Sequence, residues 1–212
     1  MKSYLRFLSR NKLYTAIEIV GLSIALAFVI IFTCYVRQQT AVNTHYSDSD
    51  KIYLAGIGQN TYSYYSMADE LEAGIPEIEE AVLVQNYYNS FKYEGETLSE
   101  KGLLVVGKDF FDLFQTKFLY GSPEEFDVKE SAFVTEGFAR RHGMEEVIGK
   151  KLTDGNKVIS IAGIIEDFSG TVFEDFEFII NSMSIVPSDQ NYVSSAVMTF
   201  FKAADGADIA FL

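Results

Sequence analysis

Cysteine and histidine are scarce in this sequence, and their scarcity argues against a disulfide framework and a metal centre. Among 212 residues there are one cysteine, Cys34, and two histidines, His45 and His142. A lone cysteine has no partner for an intrachain disulfide. The histidines are far apart, and neither has a Cys or His at the spacing of a metal site. We therefore expect no metal ligand and no bound cofactor.

The motifs of familiar enzymes are also missing. The sequence contains no G-x-x-x-x-G-K-[ST] loop, no G-x-S-x-G elbow and no H-E-x-x-H helix. Nucleotide hydrolysis and the common hydrolase mechanisms therefore have no residues here to perform them. We predict no catalytic residue, no cofactor-binding residue and no enzymatic activity.

Positive charge is in short supply, with 17 Lys and Arg against 30 Asp and Glu and a formal net charge of −13. The first twelve residues hold four basic side chains and no acidic one, so the remainder carries −17. Because nucleic-acid binding depends on Lys and Arg at phosphates, a nucleic-acid partner is not expected. Acidic clusters of this kind can hold calcium but more often form a solvated face. They are Glu77, Glu79 and Glu80, and Glu166-Asp167 with Glu174-Asp175.

One long apolar run stands out against this polar background. Ile19 to Val36 (IVGLSIALAFVIIFTCYV) carries no charge and is bracketed by Glu18 and Arg37. As a helix it would be about 27 Å long, close to the ~30 Å hydrocarbon core of a bilayer. A cleaved signal peptide and a buried helix of a soluble core are the alternatives. The run is longer than a signal h-region, and Gln39-Thr40-Ala41 is a poor cleavage site, so we predict a membrane span.

The charge distribution predicts how this span is oriented. Lys and Arg precede it and acids dominate after it, so the positive-inside rule predicts a cytoplasmic N-terminus with the acidic bulk outside, which for a bacterium means the periplasm or the cell exterior. Ser3 to Arg10 is predicted to be an interfacial amphipathic helix, with a disordered basic arm as the alternative. We divide the chain into a cytoplasmic or interfacial segment (1–16), a transmembrane helix with a stalk reaching about Asn43 (17–46), and an extracytoplasmic domain (47–212).

Small residues recur at four-residue spacing within the span, at Gly21 and Ala25 and at Ser23 and Ala27. Such spacing lets a second helix approach closely, although small residues are also simply common in membrane spans.

Hydrophobic periodicity predicts an α+β domain after the stalk. Lys51 to Ile57 reads as a strand, Ser63 to Ala73 as a helix closed by Gly74, and Ile78 to Val84 as a second strand, which together make a βαβ unit. The other predicted elements are a hairpin of Phe91–Tyr93 and Thr97–Leu98 across Glu94-Gly95-Glu96, strands Leu103–Val106, Ala132–Thr135, Val158–Glu166 (after an Asp154-Gly155-Asn156 turn), Phe176–Ile180 and Val193–Lys202, and helices Lys108–Phe114 and Glu136–His142. Asp205 is a predicted N-cap for a helix that the sequence does not complete, so we expect Leu212 to be a truncation point.

Six blocks of sequence carry a resemblance to a known family. They are RNKLYTAIEIVGLSIALA (10–27), SDSDKIYLAG (47–56), VGKDFFDLF (106–114), VTEGFARRHG (134–143), EVIGKKL (146–152) and IAGIIEDF (161–168). In this order they resemble FtsX-like ABC-transporter permeases with a MacB-like periplasmic core domain, of the type common in Bacteroidetes. Seen as residues, the blocks are structural: Gly107 and Gly149 suit turns, the Phe pairs suit a core, and Glu136 suits a helix start.

The resemblance implies a two-lobed domain, in which a mainly-β lobe is inserted into a porter-like βαβ lobe. Lys51 to about Gln85 would be the first porter half, about Asn86 to Thr171 the inserted lobe, and about Val172 onward the returning half. It also implies a permease subunit, working as a homo- or heterodimer with an ABC ATPase and in some cases a periplasmic partner, that exports lipoproteins, peptides or drugs. The later membrane helices and the ATPase-coupling loop of the family lie outside this sequence. A single-span anchored binding or sensor module, and an anchored enzyme with unrecognised chemistry, are the alternatives.

Overall fold

The chain divides into two units, Met1–Val42 and Asn43–Leu212. The computed structural model describes residues 12–40, 42, 46, 48–61, 63–87, 91–98, 102–153, 157–173, 176–182 and 197–208. We describe each unit by itself.

The described part of the first unit is almost entirely one helix, α1, which spans Lys12–Thr40. Its segment Lys12–Gln38 is long and apolar enough to cross a membrane, and none of its most apolar stretch is buried against protein. A helix that is apolar on every side needs a nonpolar environment around it. The hydroxyls of Thr33 and Thr40 bond to the carbonyls of Val29 and Val36, so they add no unpaired polar group.

The predicted span Ile19–Val36 lies inside α1, which starts seven residues earlier and continues four residues further. The helix is described as far as Thr40, and the predicted stalk end at Asn43 lies outside the described residues. The predicted amphipathic helix Ser3–Arg10 also lies outside them.

The second unit begins with the predicted βαβ unit. Strand β1 (Ile52–Ala55) leads to helix α2 (Met67–Gly74) and then to strand β2 (Ile78–Tyr87). Strand β11 (Val197–Ala203) pairs antiparallel with both strands, so β1 and β2 are parallel to each other with β11 between them. The βαβ prediction is confirmed, with a strand from the end of the described chain inserted at its centre.

The start predicted for α2 at Ser63 is wrong by four residues. The Ser63 hydroxyl lies 2.5 Å from the Thr199 hydroxyl of β11, and both side chains are buried. This bond holds Ser63 against the sheet, and the helix begins only at Met67, whose N–H bonds to the carbonyl of Tyr64. It ends at Gly74, one residue beyond the predicted end at Ala73.

The remaining described elements extend this arrangement into a broad sheet. The strands are β3 (Lys92–Tyr93), β4 (Glu96–Thr97), β5 (Gly102–Val106), β6 (Phe118–Tyr120), β7 (Ser131–Thr135), β8 (Lys151–Thr153), β9 (Val158–Ile165) and β10 (Phe176–Asn181), and the helices are α3 (Phe110–Leu113), α4 (Pro123–Phe126) and α5 (Glu136–His142). Eleven described strands join in the order β1-β11-β2-β5-β10-β7-β9-β8-β3-β4, with β6 paired to β9.

The hairpin turn is shorter than predicted, because Glu96 pairs with Tyr93 and belongs to β4. The turn consists of Glu94 and Gly95, both with positive φ (49° and 89°), as in the type I′ turns that join two strands. Strands β6 and β8 and helix α4 were not predicted. The predicted turn at 154–156 and the helix predicted after Asp205 fall partly or wholly outside the described residues; Asp205 and Gly206 form a turn.

Both faces of the sheet are buried around β5. Leu104 and Val106 pack on one face and Leu103 and Val105 on the other, as the two-residue alternation of a strand requires. The first face carries a layer rich in phenylalanine, in which the Phe110-Phe111 pair that the sequence analysis assigned to a core packs together with Phe114. The core members of that layer include Phe126, Phe133, Phe168, Phe173 and Phe200.

The sheet is continuous across the predicted lobes. Strand β10, from the range predicted as the returning porter half, pairs with β5 and β7, from the range predicted as the inserted lobe. The exact lobe boundaries stay a prediction. The α+β class, with an N-terminal apolar helix followed by a sheet-rich domain, is confirmed.

Candidate functional site

A cleft of about 390 Å³ opens beside the β1-β11-β2 end of the sheet. The sheet contributes Ile52 and Leu54 from β1, Met198 and Phe200 from β11, and Asn86 from β2. Residues two apart on a strand point to the same face, so β1 and β11 each present a short apolar stripe to the cleft. The opposite face of the same strands is covered by α2 through Met67 and Ala68.

The floor of the cleft is a set of aromatic rings brought together from distant parts of the chain. Phe173 contacts Phe114 and Phe200 edge to face, with ring centroids 4.9 Å and 5.7 Å apart, and Phe114 contacts Phe200 at 5.4 Å. Tyr46 adds an edge contact to Phe114 at 5.6 Å. Such interlocked rings hold one another in place, so the floor is preformed.

The wall of the cleft is electrically neutral among the described residues. Tyr46 is the one titratable side chain among the lining residues that the structure describes, and burial raises the pKa of that phenol to about 12. Asn86 supplies an amide, and its Oδ1 is enclosed without a hydrogen-bond partner in the described part of the chain. The rim is apolar, since Leu54 is 41% exposed and Val172 is 50% exposed. This arrangement suits binding of an apolar group and offers no acid–base pair for catalysis.

Charged residues form a separate network on the surface near the ends of β1 and β11. Lys202 pairs with Asp48 at 2.9 Å and Glu79 at 3.5 Å, while Lys51 pairs with Asp48 at 3.5 Å and Asp205 at 2.5 Å. The hydrogen bond from Lys202 lowers the pKa of Asp48. Because these side chains are solvated, each pair contributes little to the free energy of unfolding. The pairs link the segment before β1 to β11.

The acidic clusters singled out in the sequence are dispersed or partnered. Glu79 pairs with Lys202, and Glu166 accepts hydrogen bonds from Lys117. Glu80 is half-buried, and its burial, with Asp109 and Asp112 nearby, raises its pKa to about 6. Glu77 lies in the turn before β2, and its carbonyl accepts from the Ala204 N–H. Glu174 and Asp175 are outside the described residues.

Asp167 has a structural role that the sequence did not reveal. Its Oδ1 accepts a 2.7 Å hydrogen bond from the Gly137 N–H in the first turn of α5. The local candidate cap, Thr135, makes no side-chain cap bond, and Glu136 pairs with Arg140 one turn along. A carboxylate thirty residues away in sequence therefore satisfies this helix start. Arg141 of the same helix bonds to the nearly buried Glu177 at 2.7 Å.

The other residues singled out from sequence lie apart from the cleft. His142 stacks on Phe138 with ring centroids 4.4 Å apart, Cys34 is exposed on α1, and His45 is outside the described residues. Gly149 has φ +77°, as the turn prediction requires, and Gly107 accepts the Phe110 N–H through its carbonyl at the start of a turn. Across the part of the chain that is described, no group of three or more His, Cys, Asp or Glu residues is placed to hold a metal ion.

The sequence contained only part of the signal for the cleft. The alternation at Ile52 and Leu54 and at Met198 and Phe200 predicts an apolar strand face. Phe114 and Phe173 lie outside the strands and helices, where no periodicity links them to that face.

Comparison with known proteins places this structure among transporter domains. The MacB-like periplasmic core domain matches residues 15–210. No curated protein matches the chain. Among solved structures, a domain of a permease protein from Porphyromonas gingivalis is 20% identical with a TM-score of 0.61, covering 70% of this chain and 66% of that one.

Two further structures share the fold. The periplasmic region of MacB from Actinobacillus actinomycetemcomitans is 13% identical with a TM-score of 0.54, covering 76% of each chain. The extracellular domain of the ABC-type transporter YknZ from Gram-positive bacteria is 11% identical with a TM-score of 0.53, covering 73% of this chain and 83% of that one.

Proposed function

The chain belongs to the family of MacB-like periplasmic core domains, and we propose that it is the N-terminal part of an ABC-transporter permease that exports a lipoprotein, peptide or drug. Domains of this family are components of transporter permeases and are not classical enzymes. In our proposal a separate ATPase subunit hydrolyses ATP in the cytoplasm. The permease, as a homo- or heterodimer in the inner membrane, converts that cycle into movement of its periplasmic domain.

The observation that carries the proposal is the family match over residues 15–210, which includes most of α1 as well as the folded domain. The charge asymmetry across α1 supports a cytoplasmic N-terminus and a periplasmic domain. A continuous helix transmits displacement along its axis only while its hydrogen-bonded ladder is intact. We therefore assign α1 the role of carrying movement from the membrane towards β1.

A second function draws support from the apolar cleft, which is a feature expected of a ligand-binding module. In that case the chain is a single-span anchored periplasmic binding or sensor protein. Reading the gene past the codon for Leu212 separates the two. Three further apolar spans support the permease, and an immediate stop codon supports the anchored module.

The decisive functional test interrupts α1 just outside the bilayer. Replacing Gln38 by Gly and Gln39 by Pro removes a helix N–H and brings the proline ring against a carbonyl, at a cost of about 3 kcal/mol or more, plus ~1 kcal/mol for the glycine. The matched control, Gln38→Ala with Gln39→Ala, keeps the helix. In the full-length transporter with its ATPase, we expect normal expression and near-normal ATP hydrolysis for both variants, with export sharply reduced in the Gly-Pro variant only. Unchanged export in that variant would contradict a transmitting role for α1.

A further inference from the structure

The apolar cleft beside β1, β11 and β2 has the dimensions of a small-molecule site. Its volume of about 390 Å³ falls within the roughly 300–1,000 Å³ typical of ligand pockets. The three interlocked rings of Phe114, Phe173 and Phe200 are almost fully buried and form a rigid floor, and Leu54 and Val172 supply exposed apolar surface at the rim. Burying apolar surface on such a floor favours binding in proportion to the area covered.

The chemistry of the wall selects against charge. None of the described lining residues carries a charged side chain: Tyr46 is a neutral phenol at neutral pH, and burial raises its pKa further, to about 12. A charged ligand group would lose its hydration here without gaining a partner of opposite charge, which is costly. A neutral ligand avoids this cost.

Among the described lining residues, Asn86 supplies the one amide. Its Oδ1 is enclosed and without a hydrogen-bond partner among the described residues, an arrangement that a folded protein usually avoids. A side-chain amide is both donor and acceptor, so rotation about its last torsion lets it bond a hydroxyl or an amide of a ligand.

We propose that this cleft is a binding site for an uncharged amphiphile, with an apolar body seated on the aromatic floor and one neutral hydrogen-bonding group at Asn86. The assignment concerns binding alone and does not depend on ATP-driven transport. It goes beyond the proposed function, because it gives this domain a ligand of its own.

The test is equilibrium dialysis of a biphenyl alcohol, 4-biphenylmethanol, against the full chain in lipid nanodiscs. Empty nanodiscs measure partition of the probe into lipid. The charged comparison probe is biphenyl-4-carboxylate at neutral pH. We expect saturable binding of the alcohol above the lipid background, and binding of the carboxylate at least tenfold weaker.

Two variants connect the binding to the cleft. Asn86→Leu should weaken alcohol binding about fivefold, the effect of losing one buried hydrogen bond. Leu54→Glu places a charge at the rim and should weaken it at least tenfold, whereas Leu119→Glu, the same change at a similarly exposed strand leucine outside the cleft, should not. Circular dichroism confirms folding, and because Leu54 is 41% exposed its variant is expected to fold even if Asn86→Leu does not.

Several results would overturn the assignment. If nanodiscs containing the chain take up no more alcohol than empty nanodiscs, the cleft is not a binding site. If the alcohol and the carboxylate bind with equal affinity, the site does not prefer a neutral ligand. Equal effects of Leu54→Glu and Leu119→Glu would place binding elsewhere. If the full-length transporter exports normally but the chain does not bind the alcohol, the binding site is contradicted and the permease proposal is not. If the chain binds the alcohol saturably but the full-length protein exports nothing, the permease proposal is contradicted and the binding site is not.

Discussion

Gly163 in β9 is a position where adding a single methyl group should be damaging. A Cβ at Gly163 would lie 2.4 Å from two carbons of the Phe133 ring and 2.6 Å from the Tyr120 carbonyl oxygen. The ring has no room to withdraw, because Phe133 is fully buried between the rings of Phe118 and Phe126, at centroid distances of 5.5 Å and 5.4 Å. The carbonyl belongs to β6, which pairs with β9.

Gly163→Ala is therefore an overpacking change that neither neighbour can relieve. Such changes cost about 1–3 kcal/mol, and we expect the upper end here because both backbone and ring must shift. For a domain of this size, about 3 kcal/mol corresponds to a melting temperature lower by roughly 6–12 °C. The measurement is thermal unfolding by far-ultraviolet circular dichroism of the full chain in detergent.

Gly74→Ala is the matched control. A Cβ at Gly74 would meet nothing within 4 Å, and as the last residue of α2 it gains up to ~1 kcal/mol of helix propensity. We expect an unchanged or slightly higher melting temperature. If Gly163→Ala melts no lower than Gly74→Ala, then β6, β9 and the Phe133 ring are not packed as described.

Three further predictions concern charge and topology. Glu80→Gln should remove one pH-dependent contribution to the unfolding free energy. Because the pKa of Glu80 is raised to about 6, its ionisation destabilises the native domain as pH rises from about 4.5 to about 6, by less than ~1 kcal/mol because the half-buried carboxyl is still in contact with solvent; equal pH profiles for both proteins would refute this. Asp167→Ala should lower stability by about 1 kcal/mol in urea unfolding through loss of the hydrogen bond to the first turn of α5, and no change would show that water replaces it fully. In a Cys34→Ser background, a cysteine at Val128, which is 57% exposed, should react with an impermeant thiol reagent in spheroplasts, whereas a cysteine at Ser3 should not. The opposite labelling pattern would mean that the span has the opposite orientation.

Elements with a strong local signal were predictable from sequence. Helix α5 has the predicted bounds Glu136–His142, because an acidic first residue, basic residues in its last turn and a following Gly143 all mark its ends. Strand β9 differs from its prediction only by Glu166. These segments carry their own periodicity and need no distant partner to identify them.

Features that depend on distant contacts were not predictable. Strand β6 is three residues long and exists because it pairs with β9, while the start of α2 is delayed by a bond between Ser63 and Thr199. The hydrogen bond from Gly137 to Asp167 and the ring cluster of the cleft likewise join residues that no spacing rule connects. Tertiary contacts determine these features, and local propensity does not predict them.

The central claim is that ATP hydrolysis by a partner moves the domain after α1 relative to the ATPase, with α1 carrying the movement. The most direct measurement is the distance between a spin label on a cysteine at Val128, in a Cys34→Ser chain, and a second spin label on the partner ATPase in the reconstituted transporter. The account predicts that ATP with vanadate shifts the distance distribution, and that the shift disappears when Gln38-Gln39 is replaced by Gly-Pro. An unchanged distribution in a transporter that hydrolyses ATP would contradict it.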